Sequence, residues 1–312
     1  MNTLPNVLQT ADQTAASLPW AALADEIEAL LQDPSVQVPP RIVLPTADGA
    51  VLLCMPGCDA RCAMTKLITL TPANAGTLRP LIQGDVTVFD VPTGQRRLVL
   101  DGPTVTARRT AAVSALAARY LAPLPHGPML IVGAGVQGLA HAQAFAAVLG
   151  VQQFVIASRR LASAQALAAQ VQAMGCQAQA VADANTALAQ CPLVVTCTPA
   201  RAVALHALPR PDAFIAAVGA FTPQMIELAP DLTRHLAATG RVVVDTADAA
   251  HEAGDLLQAG LNVPALPTLA DVVRSGTAKT GQTSAGPVLF KSCGWAGWDL
   301  AAARLALRQA GA

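Results

Sequence analysis

The chain has 312 residues, 53% of them hydrophobic and only 13% charged, and its 20 basic and 20 acidic side chains cancel. That excludes a disordered or solvating chain, and without a basic run or basic–aromatic interleaving there is no footprint for nucleic acid or an anionic membrane surface. At a soft prior of about 150 residues per domain, the length suggests two domains.

The mean hydropathy of +0.44 comes chiefly from alanine. The most apolar stretch, 128–151, contains Gln137, His141 and Gln143 and divides into a strand, a glycine turn and a helix. A spanning helix needs about 20 predominantly apolar residues without such interruptions. The N-terminus shows no basic patch ahead of an apolar run, so no signal peptide is expected and the protein is expected to be cytoplasmic.

Taken in chain order, residues 20–32 form a helix, apolar at Ala24, Ile27, Leu30 and Leu31 and ended by Pro34. Strand-like runs follow at 41–44, 51–55, 66–70, 86–90 and 97–100, separated by turn signals such as Asp48-Gly49, Gly84-Asp85 and Thr93-Gly94. Strands in succession without helices imply an antiparallel sheet. Cys54, Cys58 and Cys62 have a spacing that fits neither zinc nor iron–sulfur patterns. Free thiols in a reducing compartment are expected, and no metal. On its strand Lys66 shares a face with Ile68 and Leu70, because side chains alternate. A lysine turned to an interior needs an anionic partner or a lowered pKa, and either serves a carboxylate or a proton transfer. A solvated lysine on an edge strand is the alternative.

From 106 the period becomes helical, with Val113, Leu116, Ala117 and Tyr120 repeating until Pro123. Arg109 falls on this core stripe, while Arg108 aligns with Ala112, Ala115 and Arg119 and is more peripheral. An arginine on a core stripe beside a helix N-terminus suits an anion such as a substrate carboxylate. A structural salt bridge to an acid is an equal alternative. Residues 123–128 are a linker. Strands at 129–132, 154–157, 178–182, 193–198, 214–218 and 242–245 then alternate with helices at 136–149, 161–174 and a short one to 190. This is the α/β order of a doubly wound parallel sheet.

The segment 129–138 is a buried strand running through Gly133-Ala134-Gly135-Val136-Gln137-Gly138 into a helix. Gly133 permits the tight turn, Gly135 lets a pyrophosphate approach the backbone, and Gly138 lets the helix pack on the strand. Phosphates would sit on the positive helix end at Val136 and Gln137. A bare turn in an α/β domain is the alternative, but the strand–turn–helix context favours a dinucleotide. The next strand ends in Ser158-Arg159-Arg160, without the acid that usually bonds the ribose hydroxyls of NAD. The serine and arginines offer hydrogen bonds and charge to a 2′-phosphate, which favours NADPH, with NADH possible. Surface arginines opening a helix are the alternative. Thr196, Cys197 and Thr198, at the carboxyl edge of a strand, suit the nicotinamide ribose or are ordinary strand-end residues. From 286 an apolar run leads into an alanine-rich helix that could pack back on the first domain.

Several short pieces, in order and spacing, resemble the ornithine cyclodeaminase/mu-crystallin family over nearly the whole chain. They are Pro-Pro-Arg at 39–41, Met-Pro-Gly at 55–57 with Thr-Lys at 65–66, and Arg-Thr-Ala-Ala at 109–112. The glycine loop, Val-Gly-Ala at 218–220 with Pro223 and Glu227-Leu228, and Phe-Lys-Ser-Cys-Gly at 290–294 complete the set. The resemblance implies a homodimer. It assigns 1–115 with 287–312 to an α+β substrate and dimerisation domain built from both chain ends, and 116–286 to a Rossmann NAD(P)-binding domain. By the same resemblance Arg41, Lys66 and Arg109 match positions near the substrate carboxylate, and Val218, Cys293 and Gly294 match the nicotinamide end.

One departure bears on the chemistry. Cyclodeaminases of the family carry a catalytic aspartate directly after the Gly-Ala pair, where this chain has Phe221 and Thr222. Phenylalanine can neither accept a proton nor hold an amine. The Gly-Ala-Phe-Thr-Pro run resembles the family's bacterial reductases of cyclic imino acids, pyrroline-2-carboxylate and piperideine-2-carboxylate. In that reading Arg109 and Arg41 clamp the carboxylate and Lys66 assists it or supplies the imine proton. Phe221 faces the ring, and Thr222 bonds near its nitrogen. Ornithine cyclodeaminase, an alanine dehydrogenase-like enzyme and a non-enzymatic NADPH-binding protein of the mu-crystallin type remain as alternatives.

Overall fold

The structure, a computed structural model, describes residues 7–74, 76–276 and 286–311. The chain divides into two compact units, Met1–Arg109 with Trp295–Ala312, and Thr110–Gly294.

The first unit opens with β1 (Val7–Leu8), α1 (Ala11–Ala16) and α2 (Trp20–Leu31). A meander follows: β2 (Ile42–Pro45), β3 (Val51–Cys58), β4 (Cys62–Leu70), β5 (Ile82–Asp90) and β6 (Arg96–Asp101). The six strands lie in the order β1-β6-β5-β4-β3-β2, antiparallel except for the parallel β1–β6 pair. Alternation gives the sheet two distinct faces. Met55, Met64, Ile68, Val86, Val88, Leu98 and Leu100 are buried on the inner face, and Leu23, Ile27, Leu30 and Leu31 of α2 are buried as well. Lys66 pairs across the sheet with Met55 and Val86, so it occupies a core position. The strand period also separates the three clustered cysteines. Cys54 and Cys58 lie on the outer face, in register with Leu67 and Ala63, while Cys62 lies on the inner one.

Helix α3 (Gly102–Leu121) begins directly after β6, its first turn capped by Asp101, whose Oδ1 accepts from the Thr104 N–H at 2.8 Å. It starts in the first unit and ends in the second. The chain returns to the first unit with its last helix, α11 (Ala296–Gln309), which packs on α2, β3 and β4. Arg304 anchors it, with Nε 2.6 Å from Glu26 Oε1 and Nη1 2.9 Å from Asp33 Oδ2 and 3.2 Å from Asp59 Oδ2.

The second unit holds β7 (Met129–Val132), α4 (Val136–Leu149), β8 (Gln153–Ala157), α5 (Leu161–Ala173) and β9 (Gln177–Val181). It continues through α6 (Ala184–Ala187), β10 (Leu193–Thr196), β11 (Arg201–Leu205), β12 (Phe214–Ala217) and β13 (Ile226–Leu228). Then come α7 (Pro230–Thr239), β14 (Arg241–Val244), α8 (Ala249–Glu252), α9 (Gly254–Leu257), α10 (Leu269–Arg274) and β15 (Val288–Lys291). Seven parallel strands run β14-β15-β12-β10-β7-β8-β9, and β11 pairs with β13 apart from them.

Strand order reverses between β7 and β10, the switch point where sheets of this kind take ligands. Here the structure moves an expected boundary. The run 288–291, assigned by resemblance to the terminal domain, is instead a central strand between β12 and β14. Its four residues are all buried, which is what a strand covered on both faces requires. Among the described residues no helix is long and apolar enough to cross a membrane.

Candidate functional site

In the second unit the carboxyl ends of six strands align. Thr196 is in register with Val132 and Ala217, Val132 with Ala157, and Lys291 with Ala217 and Val244. Gly133, Ser158, Cys197 and Val218 each follow directly on such an end, and Cys293 follows one residue later. The parallel sheet therefore gathers the expected cofactor residues along one edge.

Gly133 has φ +124°, and a Cβ there would stand 2.6 Å from the Cys197 carbonyl oxygen. A Cβ on Gly138 would stand 2.2 Å from the Gly133 carbonyl oxygen. These two glycines close the turn and seat α4 against it. Around Gly135 the position of a Cβ is open, Val136 is 73% exposed, and no side chain caps α4. Gln137 is half-buried on the first turn. The loop thus turns a helix N-terminus toward open space, and this fits a pyrophosphate. Ser158 is half-buried, while Arg159 and Arg160 are exposed at the start of α5.

The edge is held by two buried carboxylates that sequence reasoning assigned no role. Glu227 Oε2 accepts from Thr196 Oγ1 at 2.9 Å and from the Gly219 N–H at 2.7 Å, and Oε1 accepts from the Thr198 N–H at 2.7 Å. It ties the end of β10 to the end of β12. The Thr196 hydroxyl is engaged there and fully buried, so this residue serves the edge by holding it. Asp245 Oδ2 accepts from Ser292 Oγ and from the Cys293 and Gly294 N–H groups, each at 2.8 Å. Beneath, the buried Lys291 Nζ lies 3.0 Å from Asp255 Oδ2 and donates to the Ala217 carbonyl at 3.2 Å. Burial opposes its charge, but Asp255, Cys293 and Glu227 outweigh that and hold Lys291 above the usual lysine value. Burial pushes the Glu227 carboxyl up, with Lys291 working against the shift. The thiol of Cys197, under the loop at 3.5 Å from the Gly133 carbonyl, is raised by burial and by Glu227 and stays protonated.

Phe221 and Thr222 lie in the loop after β12. Phe221 packs partly buried against the unit's core, and the Thr222 carbonyl accepts from the Met225 N–H at 3.1 Å.

In the first unit Lys66 and Arg109 meet on one carboxylate. Lys66 Nζ donates to Asp299 Oδ1 at 2.9 Å and lies 2.8 Å from Oδ2. Arg109 Nε donates to the same Oδ1 at 3.2 Å. All three are buried. Burial, with the neighbouring Arg109 and Arg41, pulls Lys66 down to about 8, and Asp299 opposes the fall. Arg41 stands just ahead of β2, half-buried. Arg108 is peripheral as expected, its Nε on the Leu18 carbonyl at 2.9 Å and its guanidinium 4.0 Å over the Trp20 ring. Asp299 went unnoticed in the sequence. The signal that could have found it is a lone acid amid Ala296, Leu300, Ala302 and Ala303.

Replacing Glu227 with alanine leaves two backbone N–H groups and a hydroxyl without their acceptor in a buried place. The expected loss is about 3 kcal/mol or more in denaturant unfolding, against a smaller loss for Glu227→Gln. A loss below about 1 kcal/mol would show that the strand ends hold without it.

The model of the ornithine cyclodeaminase/mu-crystallin family matches residues 5–310. A Delta(1)-pyrroline-2-carboxylate reductase 2 of Burkholderia ambifaria is 37% identical over 299 residues, 95% of this chain and 93% of its own. A Delta(1)-pyrroline-2-carboxylate/Delta(1)-piperideine-2-carboxylate reductase of Azospirillum brasilense is 37% identical over 313 residues, 98% of this chain and 97% of its own. Among solved structures, the Thermococcus litoralis Delta(1)-pyrroline-2-carboxylate reductase in complex with NADH and L-proline has the same fold. Its TM-score is 0.81 at 23% identity, over 97% of this chain and 94% of that one. With matches of that length and identity, the chain belongs to the ornithine cyclodeaminase/mu-crystallin family.

Proposed function

We propose that the chain is an NAD(P)H-dependent imino-acid reductase. It converts delta1-pyrroline-2-carboxylate to L-proline, delta1-piperideine-2-carboxylate to L-pipecolate, or both. The observation that carries this reading is the buried pair of cations, Lys66 and Arg109, on a single acid, in a chain whose full-length relatives are reductases of these imines. Two cations against one carboxylate leave a positive excess, which the carboxylate of the substrate neutralises.

A reduced nicotinamide, when bound, supplies the hydride. The loop 133–138 would hold its phosphates. Cys197, Thr198, Val218 and Cys293–Gly294 at the strand ends would hold its nicotinamide end, with Thr196 supporting them from behind. Arg109, with Arg41, fixes the substrate carboxylate and thereby orients the imine carbon. Lys66, ionising near 8, adds charge to the carboxylate clamp and is a proton source for the ring nitrogen at neutral pH. Phe221 offers an apolar ring to a cyclic, mostly hydrocarbon substrate, and Thr222 a hydroxyl near its nitrogen. The ring sizes differ by one methylene, worth about 1–3 kcal/mol, so both substrates are expected to turn over.

Purified protein is expected to oxidise NADPH on addition of either cyclic imine and to be far slower with pyruvate and ammonia. Arg109→Ala lowers kcat/KM about 100-fold, the scale of one lost charge-assisted contact. A variant with wild-type kcat/KM sinks the clamp.

Ser158, Arg159 and Arg160 favour the phosphorylated donor. NADPH is expected to have the lower KM, and replacing both arginines with alanine should raise that KM while leaving the KM for NADH alone. Equal changes for both donors would count against a 2′-phosphate contact.

The outer face of the first unit's sheet supports a homodimer. Ile42, Leu44 and Leu67 are 53%, 52% and 48% exposed, beside half-buried Leu52 and Cys54 on the same face. An apolar sheet face of this kind calls for a cover. Light scattering on the eluting protein should give twice the chain mass, and Leu67→Lys should shift it toward the monomer. A monomeric wild type would end this reading.

A further inference from the structure

The chain contains 17 arginines and only three lysines. Lys279 lies outside the described residues, and the other two, Lys66 and Lys291, are fully buried, each against an aspartate. In a composition so biased to arginine, lysine stands at two interior places where a cation is held. Arginine is effectively always charged, whereas lysine changes its protonation readily when buried. At Lys66 the groups that face the ammonium are Asp299 from α11, Arg109 from α3 and Arg41 ahead of β2, while its cross-strand neighbours Met55 and Val86 are apolar. Among the described residues Asp299 is thus the only acid in the cluster. It takes Arg109 through Nε, and among the described residues the two terminal nitrogens of Arg109 have no hydrogen-bond partner.

We propose that Asp299 is a positioning residue of the imino-acid site, holding Lys66 as an ammonium and fixing Arg109 by Nε so that the arginine's terminal fork is the carboxylate receptor. The inference rests on the reductase reading above and adds to it a residue that acts only through its two neighbours. Its charge works in one direction on Lys66. The ordinary lysine value is lowered by burial, and Asp299 keeps it from falling further. Any step that needs the ammonium is therefore complete at low pH and lost as pH rises through the Lys66 value. Removing the acid moves that loss to lower pH.

The test reads Lys66 directly. With three lysines, protein labelled at lysine Cε gives at most three side-chain signals, assigned with Lys66→Arg and Lys279→Arg. In the wild type the Lys66 signal is expected to titrate near 8. In Asp299→Asn the midpoint should fall by about one unit or more, and the alkaline limb of kcat/KM should move with it. For a one-unit shift that is about a fivefold loss at pH 8 and little at pH 6. A midpoint that does not move, with rates lowered equally at every pH, overturns the proposal and leaves Asp299 as packing. A moved midpoint in a protein that reduces no cyclic imine supports Asp299's hold on Lys66 and overturns the reductase reading instead. If Asp299→Asn does not fold, Asp299→Glu keeps the charge and displaces it by one methylene. Its Lys66 midpoint should stay within about half a unit of wild type. Its affinity for pyrrole-2-carboxylate, a flat acid that cannot be reduced, should fall several-fold because the Arg109 fork is displaced. Unchanged affinity there also overturns the proposal.

Discussion

A charge removed from water must find an opposite charge or lose its proton, and that constraint shapes both units of this protein. Lys66 faces the interior of an antiparallel sheet and Lys291 closes the central strand of a parallel one, and each stands within 3.0 Å of an aspartate. Neither position tolerates the lysine alone. The partner acids lie on elements remote in sequence, so each pair also ties the chain to itself. Lys66 and Asp299 are 233 residues apart, and their contact joins the amino-terminal sheet to the last helix. The first unit is therefore built from residues near both chain ends, with this ion cluster buried between them.

The period-2 and period-3.6 patterns made most elements legible. Strands β7, β8, β9, β10, β12 and β14 and helices α4 and α5 fall within a few residues of where the pattern put them, because buried parallel strands and their covering helices leave strong signals. By contrast, β11, β13 and α7 to α10 were not read from the sequence. The inward turn of Lys66 was legible from Ile68 and Leu70 on the same face. Its partner was not. The first turns of α11 are buried on all sides, and its arginines come only toward the end, so the sequence around Asp299 gave no local sign of which partner it meets. Strand β15 was not read as a strand, because three apolar residues and a lysine carry no information about which sheet takes them. The contacts of Glu227 and Asp245 escaped for a related reason. Each carboxylate serves backbone N–H groups of other strands, and nothing local to Glu227 or Asp245 announces that.

Motif residues that look functional divide, in the structure, into those that face a ligand's place and those that hold the place still. Gly135 and Val136 belong to the first kind, at the open end of α4. Thr196, Lys291 and Ser292 belong to the second, their polar atoms engaged by Glu227, Asp255 and Asp245. The Phe-Lys-Ser-Cys-Gly run is therefore explained largely by support. Its lysine is counter-ion to the acids beneath the edge, and its last residues wrap one carboxylate with three donors. Such a shell fixes the strand ends to within the small tolerances that hydride transfer requires.

The two buried ion clusters differ in a way that separates structure from chemistry. Around Lys291 there are two acids for one cation, and the Glu227 oxygens are taken by three donors from adjacent strand ends. That network is closed, and a ligand would find nothing to bond. Around Asp299 the balance is reversed, with two cations for one acid and the Arg109 terminal nitrogens unengaged among the described residues. A cluster with excess positive charge and free donors is incomplete until an anion arrives, and planar carboxylates match an arginine fork best. Burial is what lowers Lys66 toward neutrality, with Arg109 and Arg41 adding to it and Asp299 opposing. In the proposed reading an incoming carboxylate would stand beside the ammonium as a second anion and help it keep its proton. Under that reading substrate binding and proton supply would be coupled through Lys66. That coupling favours an acid bearing a basic imine nitrogen over a neutral carbonyl compound.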